Sequence, residues 1–345
     1  MERTEIEDLG EFGLIDRLKK SVKSYNKTTQ KGIGDDAAVV SNEEETTVVS
    51  TDMLLEGVHF DLSYMPLKHL GYKAMAVNFS DIAAMNALPT QVLVSIGLSN
   101  RFSVEAIDAI YEGINMACEK YKVDLIGGDT TTSRSGLVIS VTVFGQAKKA
   151  NLAYRNGAKK NDVICVTGDL GGAYLGLQVL EREKQVYLAN KNMQPKLEEY
   201  NYIVERQLKP EARTEIVHEF LEQGIVPTSM IDISDGLASE LFHICTQSGL
   251  GCVIYEEKLP VEAEVAEVAA KEFQIPIATV AMNGGEDYEL LFTIDQEDFK
   301  KIENHQDITP IGYTTEASKG LTLITRAKQM IPIQAQGWKH FQKSE

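Results

Sequence analysis

The stretch GIGDDAAV, at residues 32–39, is the one around which the chain is organised. Gly32 and Gly34 permit a tight turn, two adjacent carboxylates follow, and an apolar run then carries the chain inward. The same design recurs where other apolar, strand-like runs end, at Asp52, Asp129, Asp169, Asp232 and Asp235. Carboxylates brought repeatedly to strand ends repel one another unless they bind hard cations. The pattern therefore indicates a metal site.

Each carboxylate taken alone also has a structural explanation. Asp235 could only cap a helix, Asp129 could only finish a turn, and Asp81 could be a solvated helix position. A purely structural role for the whole set is a poorer explanation, because a surface does not need a carboxylate after nearly every glycine turn.

Composition and charge restrict the classes of function. The chain has 345 residues, enough for two domains with separate cores, and its formal net charge is −17. Such an acidic chain is a poor match for nucleic acid or an anionic membrane, because phosphate groups are bound mainly through Lys and Arg. It can still bind phosphates where divalent metal ions bridge the protein's carboxylates and the phosphate groups. No nucleic-acid or membrane partner is expected.

Targeting and redox features point to the cytoplasm. No apolar run approaches the ~20 residues of a membrane span, and residues 1–10 are acidic, unlike a signal peptide. The four cysteines, at 118, 165, 245 and 252, form no CxxC pair and no zinc spacing. They are expected to be ordinary small apolar residues in a reducing compartment.

Strands and helices alternate along the whole chain, which predicts two mixed α/β or α+β domains, at 1–150 and 151–345. Ser103 is a predicted helix N-cap, and Gly224 a predicted helix end. The segment 181–207 is expected to be helical and surface-facing. The predicted helices are 9–23, 66–87, one after Ser103, one around 175–179, 212–223 and one from 237. The predicted strands are 47–52, 91–98, 125–131 with a glycine turn, 137–144, 163–167, 230–233, 289–294, 308–313 and 321–325.

The usual nucleotide-binding and hydrolytic motifs are missing from the sequence. It has no G-x-x-x-x-G-K-[ST] loop, no protein-kinase signature set, no H-E-x-x-H and no G-x-S-x-G. The segment 168–173 resembles a dinucleotide loop only loosely. Carboxylates beside hydroxyls, such as Asp52 after Ser50 and Thr51, instead suit Mg²⁺ with its waters and substrate phosphates. A site of this kind predicts phosphoryl transfer from a nucleoside triphosphate, which needs no nucleophilic side chain.

Three other side chains have candidate roles in such a site. Arg155 could pair with or stack on a nucleotide, or it could simply be solvated. His59 could contact a substrate phosphate or be a surface turn residue. Trp338, the only tryptophan, could stack on an aromatic substrate ring or pack in the core.

Seven motifs, in this order, resemble the thiamine-monophosphate kinase family over essentially the whole chain. They are GIGDDAAV (32–39), STDMLLEGVHF (50–60), NFSDIAAMNA (78–87), LIGGDTT (125–131), VTGDLGGA (166–173), DISDGLASEL (232–241) and GGEDYELLF (284–292). The resemblance implies the two-domain fold of aminoimidazole ribonucleotide synthetase, an α/β plus α+β fold. The N-terminal domain is α/β, the C-terminal domain is α+β, and the sites lie in the cleft between them. The resemblance also implies a homodimer formed through the sheet of the N-terminal domain, which binds ATP and Mg²⁺.

The resemblance further implies the reaction and the residues that serve it. The family transfers the γ-phosphoryl group of ATP to thiamine monophosphate, the last step of thiamine diphosphate biosynthesis, using several Mg²⁺ ions. The implied metal residues are Asp36, Ser50, Thr51, Asp52, Asp81, Asp129, Asp232 and Asp235. The implied ATP contacts are Gly128, Asp129, Arg155 and Ser234. The implied thiamine-phosphate contacts are His59, Glu286 and Trp338.

The chemistry of the acceptor agrees with the absence of a visible general base. A phosphate monoester has a second pKa of about 6 and is largely ionised at neutral pH, so direct in-line transfer is expected with no acid–base or nucleophilic residue. Two alternatives remain: another ATP-dependent member of the same superfamily, and a non-catalytic acidic metal-binding protein. Selenophosphate synthetase is disfavoured, because the first cysteine is Cys118 and that chemistry uses a reactive residue near the N-terminus.

Overall fold

The computed structural model describes residues 29–31, 35–42 and 45–335. The helix predicted at 9–23, the glycines of the opening motif and Trp338 lie outside the described residues. Two mixed sheets with packed helices form the described part, as the fold class predicts.

The first sheet has six strands in the order β1-β2-β3-β6-β4-β5. Neighbouring strands are antiparallel except β4 and β5, which are parallel. Their bounds are β1 Thr29–Lys31, β2 Ala38–Asn42, β3 Glu45–Leu55, β4 Leu88–Leu98, β5 Asp124–Thr132 and β6 Val138–Lys148.

Two long helices, α1 (Leu67–Ala84) and α2 (Val104–Tyr121), accompany this sheet. Almost all of α1 from Leu70 onward is buried, because the helix contacts β3, β4 and β6 of the first sheet, α2, and β8 of the second sheet. Much of α1 is apolar or small, as expected of a helix enclosed on so many sides. The polar side chains that it buries, those of Lys73, Asn78 and Ser80, are hydrogen-bonded.

The second sheet has seven strands in the order β13-β12-β9-β11-β7-β10-β8, antiparallel except for β9 and β12. Its strands are β7 Val163–Thr167, β8 Ser229–Asp232, β9 Leu250–Tyr255, β10 Leu290–Ile294, β11 Ile308–Glu316, β12 Leu321–Ile324 and β13 Met330–Pro332. The helices of this half are α3 Gly172–Ala189, α4 Asn201–Leu208, α5 Thr214–Gln223, α6 Leu237–Ser248, α7 Ala263–Val268, α8 Ile277–Asn283 and α9 Gln296–Ile302. The first sheet ends at Lys148 and the second begins at Val163; a domain boundary at 150 stays a prediction.

Local signals in the sequence predicted several element ends correctly. Ser103 caps α2 and accepts a hydrogen bond from the Ala106 N–H at 3.3 Å. Gly224 ends α5 in the left-handed conformation, with φ of 65°. All four cysteines are free and buried, as expected of small apolar residues.

The prediction of a glycine turn within 125–131 is wrong, because β5 runs unbroken through both glycines. Gly128 has φ of 158°, and a Cβ there would lie 1.7 Å from the Val94 carbonyl oxygen. Glycine is required by the close approach of β4, and the adjacent irregularity between Val92 and Leu93 shifts the register of the pair.

Two further expectations are also wrong. Gly236 occupies the N-cap position of α6, so Asp235 is not the N-cap residue. The segment 181–207 is not simply surface-facing, because Ile203 is fully buried. Within residues 29–31, 35–42 and 45–335, no helix combines the length and apolarity needed to cross a bilayer.

Candidate functional site

Three carboxylates from distant parts of the sequence meet where α1 contacts β8. Asp36 precedes β2, Asp81 lies on α1 and Asp232 ends β8, and one oxygen of each lies within 4.8 Å of the others. In the part of the chain that the structure describes, this is the one group of three or more potential ligands so close together. Oxygen ligands at this spacing fit Mg²⁺.

Adjacent residues of α1 connect the carboxylates of the two halves. The Ser80 hydroxyl donates to Asp232 Oδ2 at 2.6 Å, and Asp81 Oδ2 accepts from the Ser50 hydroxyl on β3. Because α1 is buried, these contacts hold both carboxylates in one orientation. Ser50, Asp81 and Asp232, all predicted metal residues, are therefore brought together.

Asp52 lies on the inner face of the first sheet, toward α1. Its N–H donates to Asn78 Oδ1 at 3.1 Å, and Asn78 is itself fixed by donating to the Ala74 carbonyl at 2.9 Å. Asn78 is fully buried. Asn78 is part of the motif at 78–87, but the sequence alone assigns it no role, so its contact with the backbone of Asp52 was not predicted.

The cluster repels itself electrostatically. Burial and the neighbouring Asp36 raise the pKa of Asp232 to about 7. Burial, followed by Asp52, Asp232 and Asp36, raises the pKa of Asp81 well above its usual range. Burial also raises the pKa of Asp52. Anionic oxygens in such a place are stabilised by a divalent cation, so the residues present fit the Mg²⁺ predicted from the sequence.

The two carboxylates of the opening motif have different partners. Arg155 binds Asp36 in a bidentate pair, with Nε and Nη2 at 2.7 and 2.8 Å from the two carboxylate oxygens. Asp35 Oδ2 lies 3.0 Å from Lys31 Nζ in an ion pair, and Asp35 Oδ1 accepts from the Arg155 backbone N–H at 3.3 Å. Asp36 therefore joins the cluster together with Arg155, whereas Asp35 holds the turn.

The turn after β8 and the segment before β10 are bonded to each other. The Glu286 N–H donates to the Ser234 carbonyl at 2.7 Å, and the Tyr288 N–H donates to the Ile233 carbonyl at 2.9 Å. Gly285 is required there, because a Cβ would lie 2.6 Å from the Ser234 oxygen. Glu286 and Tyr288 adopt φ of 65° and 52°, which is strained for residues other than glycine.

Asp235 follows in the same turn, and a buried carboxyl supports it. The Asp235 N–H donates to Glu240 Oε1 at 3.1 Å. Burial, followed by Asp235 and Asp232, raises the pKa of Glu240 well above its usual range. Glu240 is a further acidic group at the site that was not predicted from the sequence. It lies in α6, and a glutamate in a helix is typical of an ordinary exposed position.

The glycine loop before α3 is bonded to a carboxylate of the protein. Asp287 accepts from the Gly171 N–H at 2.7 Å and from the Ala173 N–H at 3.3 Å. Asp169, another strand-end carboxylate of the sequence pattern, accepts from the Tyr202 hydroxyl and does not join the cluster. The amides that would suit a phosphate therefore bind Asp287, which argues against the loose dinucleotide-loop resemblance.

Two predicted acceptor contacts lie within the described residues. Glu286 Oε1 is 3.0 Å from Lys73 Nζ, and Glu286 Oε2 accepts from Gln207 Nε2 at 2.6 Å. His59 Nδ1 accepts from the Leu55 N–H at 3.0 Å, which assigns the proton of a neutral ring to Nε2. Lys73 was not predicted, because a single lysine in a helix is typical of a solvated position.

Thr51 and Asp129 lie on the opposite face of the first sheet. The Thr51 hydroxyl contacts the Thr142 hydroxyl at 3.0 Å, and the register places Ser95 beside both Ser140 and Asp129. Thr51 and Asp129 are both exposed, three strands apart in the sheet order. Gly128 sits beside Asp129 in β5. One copy of the chain therefore does not bring the Thr51 and Asp129 side chains to the cluster.

Without metal, stability is expected to fall as the pH rises from about 4 to about 7. Asp232 has a folded pKa of about 7 against a usual 3.8, so between these values the folded protein holds a proton that the unfolded chain has released. The free energy of unfolding then decreases by up to about 1.4 kcal/mol per pH unit, and the loss is complete above pH 7. Thermal unfolding in EDTA measures it, and Asp232→Asn should flatten the profile; an unchanged slope would contradict the raised pKa.

The chain is similar to known proteins over nearly its whole length. Residues 34–147 match the family model described as AIR synthase related protein, N-terminal domain. The thiamine-monophosphate kinase of Bacillus subtilis (strain 168) is 34% identical over 341 residues, covering 96% of this chain and 100% of the relative. That of Aquifex aeolicus (strain VF5) is 35% identical, covering 97% and 99%. A structure solved as "AaThiL complexed with AMPPCP and TMP" superposes with a TM-score of 0.84 at 32% identity, covering 99% of this chain and all of that one.

Proposed function

Because this chain belongs to the thiamine-monophosphate kinase family, we propose that it phosphorylates thiamine monophosphate with ATP, giving thiamine diphosphate and ADP. The observation that carries the proposal is the buried group of Asp36, Asp81 and Asp232 at the junction of the two halves. We further propose that these three, with Ser50, Asp52 and Asp235, bind several Mg²⁺ ions. A cytoplasmic location stays a prediction from the sequence.

The described residues have distinct tasks in this reaction. Magnesium ions bound by the carboxylates would neutralise the charge of the two reacting phosphates. Arg155, which pairs with Asp36, would bind an ATP phosphate or ring once that carboxylate has a metal partner. Glu286 and His59 orient the acceptor. Since the acceptor phosphate is already ionised, no residue has to remove a proton from it, and transfer is direct and in line.

The decisive assay is ADP release from Mg²⁺-ATP with and without thiamine monophosphate. The proposal expects release that depends on this acceptor and on Mg²⁺. Release independent of the acceptor would favour another ATP-dependent member of the superfamily, and metal binding without release would favour a non-catalytic protein. Direct transfer also expects no phosphorylated protein when [γ-³²P]ATP is supplied without acceptor; a labelled chain would contradict it.

We also propose a homodimer formed through the open face of the first sheet. This face carries Met53, which is 53% exposed, and the half-buried Leu93 and Phe144. A sheet face that exposes large apolar side chains among polar ones suits an interface. Thr51 and Asp129 lie on the same face, so a second copy would cover two residues that the family resemblance assigns to the site.

The dimer proposal has a direct test in solution. Sedimentation of the wild-type chain should give twice the 38.2 kDa mass of one chain. Met53→Asp places a charge in the interface and is expected to weaken dimerisation by roughly tenfold or more. Val104→Asp is the matched control, because Val104 is 70% exposed at the start of α2. A monomeric wild-type chain, or equal behaviour of the two variants, would exclude this interface.

Single substitutions should separate the two carboxylates of the opening motif. Asp36→Asn is expected to lower kcat by roughly 100-fold or more, because it removes a cluster ligand and the Arg155 partner. Asp35→Asn is expected to keep most of the activity and to lower stability by about 1 kcal/mol, through loss of the Lys31 contact. Steady-state kinetics and thermal unfolding measure both; equal loss of kcat would make Asp35 a ligand as well.

A further inference from the structure

Lys73 is a buried lysine at the centre of α1. It is only 1% exposed and is among the largest side chains with so little exposure. Its ammonium group donates to the Gln207 backbone carbonyl at 3.0 Å and lies 3.0 Å from Glu286 Oε1. A buried ammonium is costly unless it is paired and hydrogen-bonded. Both partners belong to the second half of the chain, so this pairing also connects the two halves.

The same helix carries Lys73 and the metal-site carboxylate Asp81. These residues are eight positions apart, so they lie on one side of α1, two turns apart. Ser80, next to Asp81, bonds Asp232. α1 therefore sets the distance between the carboxylate cluster and Glu286, the predicted contact of the acceptor.

Glu286 is held from three directions. Its backbone is strained, with φ of 65°, and is tied to the Ser234 carbonyl. Its two carboxylate oxygens are bound by different groups, Lys73 Nζ and Gln207 Nε2. Even so, 31% of the side chain is exposed. The contacts with Lys73 and Gln207 fix which edge of the carboxylate remains open to a ligand.

We propose that Lys73 is a positioning residue for binding of the acceptor, acting through Glu286. It holds the carboxylate so that the exposed edge meets the organic part of thiamine monophosphate, and it fixes this contact relative to the metal site through α1. The inference rests on the proposed function. A merely structural ion pair between the two halves would instead affect the binding of both substrates and the fold together.

Steady-state kinetics of Lys73→Met test the proposal. Methionine keeps most of the apolar stem and removes the charge. The KM for thiamine monophosphate should rise roughly tenfold or more, as expected for a lost charged hydrogen bond, while the KM for ATP and kcat stay within about threefold. Lys68→Met is the matched control, because Lys68 lies on the same helix in an exposed pair with Glu112 and should behave as wild type.

A double-mutant cycle with Glu286→Gln shows whether Lys73 acts through Glu286. Each single variant should raise the KM for thiamine monophosphate. The KM of the double variant should be no higher than that of the more impaired single variant. Independent, multiplicative effects would overturn the proposal, as would an equal loss in both KM values and kcat. If Lys73→Met fails to fold, Gln207→Met tests whether the partners of Glu286 position it for the acceptor. This variant removes the other Glu286 partner and leaves the carbonyl that Lys73 binds. An unchanged KM for thiamine monophosphate would then overturn the proposal.

Different results would contradict the proposed function and the positioning role of Lys73. If the wild-type protein releases no ADP with thiamine monophosphate, the proposed function is wrong. If it does, but Glu286→Gln leaves the KM for that acceptor unchanged, the kinase function stands and the positioning role of Lys73 is wrong.

Discussion

Replacing Asp81 by Asn is expected to lower kcat by on the order of 10³-fold while making the metal-free protein more stable. Asp81 is surrounded by Asp36, Asp52 and Asp232, and burial together with these neighbours raises its pKa well above the usual range. The carboxylate is therefore unfavourable in the folded protein unless a cation is bound. Asparagine keeps the size and an oxygen that can accept from the Ser50 hydroxyl, but it removes the repulsion.

Two measurements check this expectation together. Thermal unfolding in EDTA should show a midpoint raised by roughly 2 °C or more, and Mg²⁺ should stabilise the variant less than the wild type. Asp108→Asn is the control, because Asp108 is an exposed acid on α2. Retained activity would remove Asp81 from the metal site, and a lowered midpoint in EDTA would show that its carboxylate stabilises the fold.

The sequence was most informative where the structure depends on neighbouring residues. Ser103 and Gly224 determine helix ends through the backbone groups beside them, and both predictions are confirmed. The apolar runs of the strands were predicted for the same reason. The prediction for Asp235 was wrong by one position, because Gly236 is the N-cap residue. The Asp235 N–H is instead bonded to the side chain of Glu240, five residues further along the chain.

Contacts between distant residues could not be read from local patterns. Asp287 binds the amides before α3, and Lys73 pairs with Glu286 across the two halves, although nothing near either residue marks its partner. One signal for Lys73 was available. The helix that carries it is apolar or small over much of its surface, and a charge buried within such a helix must have a partner.

The sheet explains why the predicted metal residues separate into two groups. Side chains alternate between the faces of a strand, so Asp52 points toward α1 and its neighbour Thr51 toward the open face. The sequence grouped Ser50, Thr51 and Asp52 because they are consecutive. The alternation of β3 shows that consecutive residues cannot all reach one ion through their side chains.

Replacing Asp129 by Ala is expected to abolish turnover, with kcat/KM lowered by on the order of 10³-fold, although Asp129 lies away from the buried cluster. The family resemblance assigns Asp129 to both metal and ATP binding, and its side chain is exposed on the open face of the sheet. An exposed carboxylate on an edge strand contributes little to folding, so the thermal midpoint should not change.

Asp124→Ala is the matched control for Asp129→Ala, since Asp124 is an exposed carboxylate at the start of the same strand. Both variants remove the same group from the same edge strand, so any difference between them reports the position of Asp129. Measured in ADP release with saturating Mg²⁺, Asp124→Ala should match the wild type. If Asp129→Ala is as active as Asp124→Ala, then Asp129 is not a ligand, and the site consists of the cluster on the α1 side of the sheet alone. If only Asp129→Ala is inactive, an exposed residue on the open face is essential, which is the result expected if a second copy covers that face.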